Sequence, residues 1–323
     1  MIVVYAYQPS CTWTLLPVVK AFRDYFPQKP MRVIADLNAP REPWKHARIR
    51  LWEPALLQSG IIRTLVLASD LLAPHHELGV RLASECKRQR IPTVSIQHAS
   101  YRLYEDEPEG CRFAASLCCV HAQGDIDLYR SLGYKPHRLA LTGSPKYDPL
   151  CLTLPLPTCT QLLLADTAHI PEKRIPTAAI DAAKRDLSPD RVLHRHHPTS
   201  RALKAPTYPH TTLTKPHRPL VDDLLGATHV LTTSPSVAFE ALAAGRPTAL
   251  CWSEPVIPKL LSRLTEGGLS IPKPPWTKLD WKPALLTQEL FQCVSAFGDG
   301  LSALRCASEI FKVSCSADNV RPG

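Results

Sequence analysis

The chain has 323 residues, 45% of them apolar and 21% charged, with 38 Lys+Arg against 29 Asp+Glu and a formal net charge of +9. That length predicts about two domains of roughly 100–200 residues, and the composition excludes disordered, collagenous and membrane-spanning classes. Positive charge exceeds negative in both halves, with 19 basic and 14 acidic residues in 1–150; this points to a polyanionic partner or an anionic surface.

Taken in order, short apolar runs alternate with helical stretches, the signature of parallel sheets with crossover helices. Residues 1–7 lack the basic start of a signal peptide and predict a strand over 2–7. A helix over 15–25, a strand over 32–36, a strand over 64–69 and a helix over 78–90 follow. Strands over 93–97 and 116–120, a helix over 125–132 and a strand over 138–142 complete the first half. No apolar run reaches the length of a membrane span; Arg63 and Asp70 interrupt the best candidate. The 11 cysteines are odd in number and form no C-x-x-C pair. They predict free thiols in a reducing cytosol, with adjacent Cys118 and Cys119 buried.

Residues 151–160 hold two prolines without a helical period and read as a linker between a domain over 1–150 and one over 161–323. The second half restarts the alternation. Its strands fall over 161–165, 191–194, 211–213, 229–233 and 248–252, and its helices over 172–186, 220–225 and 236–244. The tail over 258–313 reads as helical, with a proline-rich loop at 272–275. The expected fold class is α/β, with two Rossmann-like domains facing each other across a cleft.

The most informative segment runs from His229 to Trp252. A strand ends in Thr232, Thr233 and Ser234, and a helix starts near Ser236. Gly245 ends that helix and Pro247 prevents its continuation. A helix N-terminus offers free N–H groups and partial positive charge, which suit a phosphate or diphosphate. Ser234 and Ser236 add hydroxyls. Glu240 lies one turn on, where its carboxylate suits two ribose hydroxyls. The competing reading is an ordinary capped helix with Glu240 on a solvated face.

This segment resembles the donor-binding element of GT-B glycosyltransferases and their relatives, with CDP-glycerol glycerophosphotransferases and non-hydrolysing UDP-N-acetylglucosamine 2-epimerases as the nearest patterns. Three further pieces fit in order. Ser95-Ile-Gln-His-Ala99 resembles a strand-end Gln-His-Gly. Leu141-Thr-Gly-Ser-Pro-Lys-Tyr-Asp148 resembles a Gly-x-Pro-x-x-Asp turn, and Arg195-His-His-Pro198 a Lys-x-His-Pro. Ala99 departs from the glycine, Arg195 from the lysine, and Ser234-Pro-Ser236 from a Ser-Ser pair. The resemblance implies a GT-B fold, His98 as a base, and His197 on phosphate.

The residues agree in part. A strand-end imidazole can take the proton of an acceptor hydroxyl as it attacks an anomeric carbon. Asp70 and Asp36 also follow strands and compete for the base role. Arg195, His197 and the helix start would stabilise the leaving nucleoside diphosphate of a UDP- or CDP-type donor. No cofactor is expected. A metal site among His194–His197 is disfavoured, because strand alternation points His197 away from the other two. Arg41, Lys45, Arg48 and Arg50 lie among Trp44, His46 and Trp52, a basic and aromatic mix that suits a phosphate backbone or an anionic headgroup.

The function expected is an inverting, metal-independent glycosyltransferase with a polyanionic acceptor. Such an acceptor is a hydroxymethylated DNA base, as in viral DNA glucosyltransferases, or a lipid-linked envelope glycan. The alternatives are a CDP-glycerol-type glycerophosphotransferase, a nucleotide-sugar 2-epimerase, and a silent binding protein. The expected location is the cytoplasm, with peripheral membrane association or a viral chain in a host cytoplasm left open.

Overall fold

The computed structural model describes residues 1–7, 9–36, 44, 48–49, 57, 60–68, 70–71, 77–99, 108–151, 157–166, 173–197, 207–215, 218–285 and 288–319. The chain divides into two compact units, 1–148 with 292–323, and 149–291.

Unit 1 begins with β1 (Ile2–Ala6), α1 (Pro9–Tyr25), β2 (Met31–Ala35), β3 (Arg48–Ile49), β4 (Thr64–Ala68) and α2 (Glu77–Arg88). It continues with β5 (Thr93–Ile96), β6 (Leu117–Val120), α3 (Gln123–Ser131) and β7 (Leu139–Leu141). Its seven strands are all parallel in the order β3-β2-β1-β4-β5-β6-β7. Every residue of β1, β4, β5 and β6 is buried. Such unbroken apolar runs are expected of parallel strands covered on both faces. Helix α1 starts six residues before the predicted position and carries Pro17 inside.

Unit 2 contains β8 (Gln161–Asp166), α4 (Thr177–Leu187), β9 (Arg191–His196), β10 (Thr212–Leu213) and α5 (Leu220–Gly226). Then come β11 (His229–Thr232), α6 (Pro235–Ala243), β12 (Thr248–Leu250), α7 (Lys259–Leu264), β13 (Leu269–Ser270) and α8 (Gln288–Gln292). The six strands are parallel in the order β10-β9-β8-β11-β12-β13. From β8 the chain first winds outward through β9 and β10, then returns to β11 on the other side. The gap between β8 and β11 is therefore a topological switch point, where open α/β sheets bind ligands at the carboxyl ends of their strands.

The last helix, α9 (Ser302–Asn319), corrects the expected domain division. Residues 292–323 belong to unit 1, not to the second domain. Ala303, Cys306, Ala307 and Ile310 join the core of unit 1, and Phe311 stacks on Phe26 of α1 with ring centroids 4.6 Å apart. The apolar stripe of α9 does not show in the sequence which sheet it will cover. The Gly-x-Pro-x-x-Asp turn supplies the dock. Asp148 accepts the Ser302 and Ala303 N–H groups at 3.0 and 2.8 Å, and Ser144 N–H donates to Ser295 Oγ at 3.1 Å. Burial pushes the Asp148 carboxyl up, against the pull of these N–H bonds. The tail is also less helical than expected, since β13 and a stretch over 271–285 without helix interrupt it.

The 11 cysteines form no disulfide, and Cys118 and Cys119 are buried as predicted. Among the described residues no helix is long and apolar enough to cross a membrane.

Candidate functional site

At the switch point of unit 2, Thr232 ends β11 and fixes the turn into α6. Its hydroxyl donates to the Ala165 carbonyl at 2.6 Å and accepts the Ser234 N–H at 3.0 Å. Ser234 stands at the N-cap and Pro235 follows it in the first turn. The first intrahelical bond runs from Ala238 N–H to the Ser234 carbonyl, 3.0 Å. The N–H groups of Ser236 and Val237 are thus first-turn donors without a carbonyl. The Ser234 and Ser236 hydroxyls, on the same turn, are hydrogen-bonded to each other at 3.1 Å. One of the two hydroxyls donates to the other, so the turn offers two N–H groups and one hydroxyl, which suit an anion.

Glu240 is only 8% exposed. The alternative of a solvated face for it is therefore not what the structure shows. His197 is exposed just past β9, and its N–H continues the sheet to the Asp166 carbonyl at 3.0 Å.

Arg195 departs from its expected role. Alternation along β9 turns it away from His194 and His196. Its guanidinium pairs with Asp223 of α5 and donates to the Arg218 carbonyl at 3.0 Å. It fastens α5 to the sheet and is not open to a diphosphate. The sequence does not show that pairing, because the partner lies 28 residues on.

Sequence reasoning also missed a buried network at the end of β8. His194 Nε2 lies 3.1 Å from Asp166 Oδ1, and the Tyr208 hydroxyl donates to Asp166 Oδ2. Burial pushes the Asp166 carboxyl up, but the bonds from His194 and Tyr208 outweigh it and hold the carboxyl below its usual range. The network ties β8, β9 and the Tyr208 segment together. No local pattern at Asp166 or Tyr208 announces it. Among the described residues, no group of three or more His, Cys, Asp or Glu is placed to hold a metal ion.

In unit 1, His98 is half-buried just past the carboxyl end of β5. The preceding Gln97 builds its turn. Gln97 Nε2 donates to the Ala99 carbonyl at 2.7 Å, and Gln97 Oε1 accepts the His121 N–H at 3.0 Å. The His121 ring closes the loop, with Nε2 2.6 Å from the Gln97 carbonyl. Burial, with Lys146 nearby, pushes the His121 imidazole down to about 3, while the Gln97 carbonyl pulls the other way. His121 is therefore neutral at physiological pH and acts as a fixed donor. Its place after the apolar run of β6 was the available signal.

The two competing carboxylates are sealed. Asp36 is 4% exposed and accepts the Tyr5 hydroxyl at 2.8 Å. Asp70 is fully buried, and its Oδ2 accepts the Ala114 and Ala115 N–H groups at 2.9 and 2.6 Å. Each holds backbone or core in place, so neither meets an acceptor hydroxyl. Burial pushes the Asp70 carboxyl up to about 6, with bonds from Ser95 and the two N–H groups opposing. The folded state then binds a proton that the unfolded chain releases near pH 4, so this group favours folding below about pH 4 and loses that contribution as pH rises through 6. In urea melts, Asp70→Asn is expected to gain on the wild type between pH 4 and pH 7. An unchanged difference would contradict this.

Of the basic patch, Arg41, Lys45 and Arg50 lie outside the described residues, as do His46 and Trp52, and of Arg48 only the backbone is described. Trp44 is 4% exposed and donates its indole N–H to Thr12 Oγ1 at 3.1 Å. It is a core residue and not a stacking platform.

No protein-family model matches the sequence, and no curated protein does. Solved structures match along nearly the whole chain. S. aureus MnaA with UDP aligns at a TM-score of 0.67 and 14% identity, covering 100% of this chain and 98% of that one. The UDP-GlcNAc 2-epimerase from Neisseria meningitidis bound to UDP-GlcNAc aligns at 0.60 and 13%, covering 98% and 100%. The wall teichoic acid polymerase TagF with CDPG aligns at 0.60 and 13%, covering 98% and 89%. The chain has the GT-B fold. In GT-B terms, α6 opens the switch point of the second Rossmann-like unit, and His98 stands at a strand end of the first.

Proposed function

We propose that the protein is a transferase that moves a sugar from a nucleoside-diphosphate donor to a hydroxyl of an anionic acceptor. The observation that carries this reading is the open first turn of α6 at the switch point. The Ser236 and Val237 N–H groups and one of the Ser234 and Ser236 hydroxyls neutralise the diphosphate without requiring a metal, and exposed His197 supports it from β9. Glu240 accepts the ribose hydroxyls. His98 takes the acceptor proton as the oxygen attacks the anomeric carbon; the C–O bond to the diphosphate breaks and the configuration inverts. The net charge of +9 supports an anionic acceptor. Hydroxymethylated DNA and lipid-linked glycans are the two acceptors this charge suits.

A second reading, nucleotide-sugar epimerisation, is supported by the names of several structural neighbours. Both readings share the nucleotide site. In calorimetric titrations the protein is expected to bind UDP or CDP, and Glu240→Ala to weaken that binding about tenfold or more. Unchanged affinity would remove Glu240 from the ribose.

A further inference from the structure

We propose that the cavity between α7, β13 and residues 278–282 is a second ligand site of unit 2, shaped for a small organic anion with an apolar body. The cavity measures about 630 Å³, inside the range of about 300–1,000 Å³ typical of ligand sites. It includes none of Ser234, Ser236, Glu240 or His197, so it is distinct from the nucleotide turn.

Its chemistry is mixed in the manner of ligand sites. Ile257, Leu269 and Ile271 supply an apolar wall. Ser270 lines the cavity while only 4% exposed, and its hydroxyl makes no hydrogen bond among the described residues. Such a donor in a nearly dry place is an unused binding group. Lys282 and Asp280 both line the cavity and largely answer each other, with Nζ and Oδ2 3.6 Å apart. Lys278 has no acidic partner among the described residues, so the cavity carries one net positive charge. A volume this large exceeds an inorganic anion, and the apolar wall asks for an organic body behind the charged head.

The cationic wall is held in place. Along 278–282 exposed residues alternate with more buried ones. Leu279 and Trp281 pack on the core of unit 2, while Lys278, Asp280 and Lys282 line the cavity. Arg185 donates to the Thr277 carbonyl at 2.8 Å, and Leu285 N–H donates to the Gly267 carbonyl at 2.9 Å. Gly268, at φ +94°, lets Pro283 approach; a Cβ there would lie 2.1 Å from the Pro283 oxygen. A fixed wall spares the ligand the cost of ordering it.

The test is amide NMR of the full chain with phenyl phosphate, benzoate and benzyl alcohol as probes. Phenyl phosphate or benzoate is expected to shift the amides of residues 269–271 and 278–282, and which of them binds tells a phosphate head from a carboxylate head. Lys278→Ala, at an exposed position, and Ser270→Ala are each expected to weaken binding about five- to tenfold. Three results would overturn the site: benzyl alcohol binding as well as the anions, wild-type affinity in Lys278→Ala, or shifts confined to the first turn of α6. If Ser270→Ala melts early, the Lys278 variant alone decides.

Discussion

Removing residues 292–323 is expected to unfold unit 1. Helix α9 brings Ala303, Cys306, Ala307 and Ile310 into its core and stacks Phe311 on Phe26. Burying Ile310 alone is worth about 1.5–3 kcal/mol. Loss of the whole helix also bares the face of α1 beneath it, which consumes much of the roughly 5–15 kcal/mol that holds a typical domain. A sharper probe is Gly143→Val. Gly143 sits at φ +79°, and a Cβ would lie 2.5 Å from Ser302 Oγ and 3.2 Å from Ser302 Cβ. The left-handed backbone costs a valine roughly 1–2 kcal/mol before the clash is counted. Thermal melts followed by circular dichroism are expected to fall by about 5–10 °C. A wild-type melt in either variant would show that the turn does not dock the helix.

Replacing His98 by alanine is expected to lower turnover about 10²- to 10⁴-fold, the usual contribution of a positioned base. Donor binding should not change, because the nucleotide groups lie in unit 2. His98 is the base proposed here; Asp36 and Asp70, the other two sequence candidates, are buried and hold other groups. Full activity in His98→Ala would remove His98 as the base.

The parts of this arrangement that were legible in the sequence are local. Apolar runs gave the buried strands, and Thr232–Pro247 gave a strand, a turn and a helix with its stop. Alternation and burial decided the rest. Arg195 reads like a phosphate ligand beside His197, yet the strand turns it toward Asp223. Trp44 reads as part of a basic aromatic patch, yet it donates to Thr12 in the core. The partner of Asp148 is α9, more than 150 residues away. Contacts between distant segments leave no periodic trace, and the Asp166–His194–Tyr208 network is of that kind.

The central claim is transfer from a nucleotide donor, and its most direct test is incubation with UDP- and CDP-linked donors, with and without anionic acceptors, followed by mass spectrometry. Hydroxymethylated DNA and lipid-linked glycans form the two acceptor arms. The predicted result is release of nucleoside diphosphate that depends on the acceptor, with the acceptor gaining the mass of one sugar. Epimerised donor in the absence of any acceptor, or bound donor that never turns over, would contradict it.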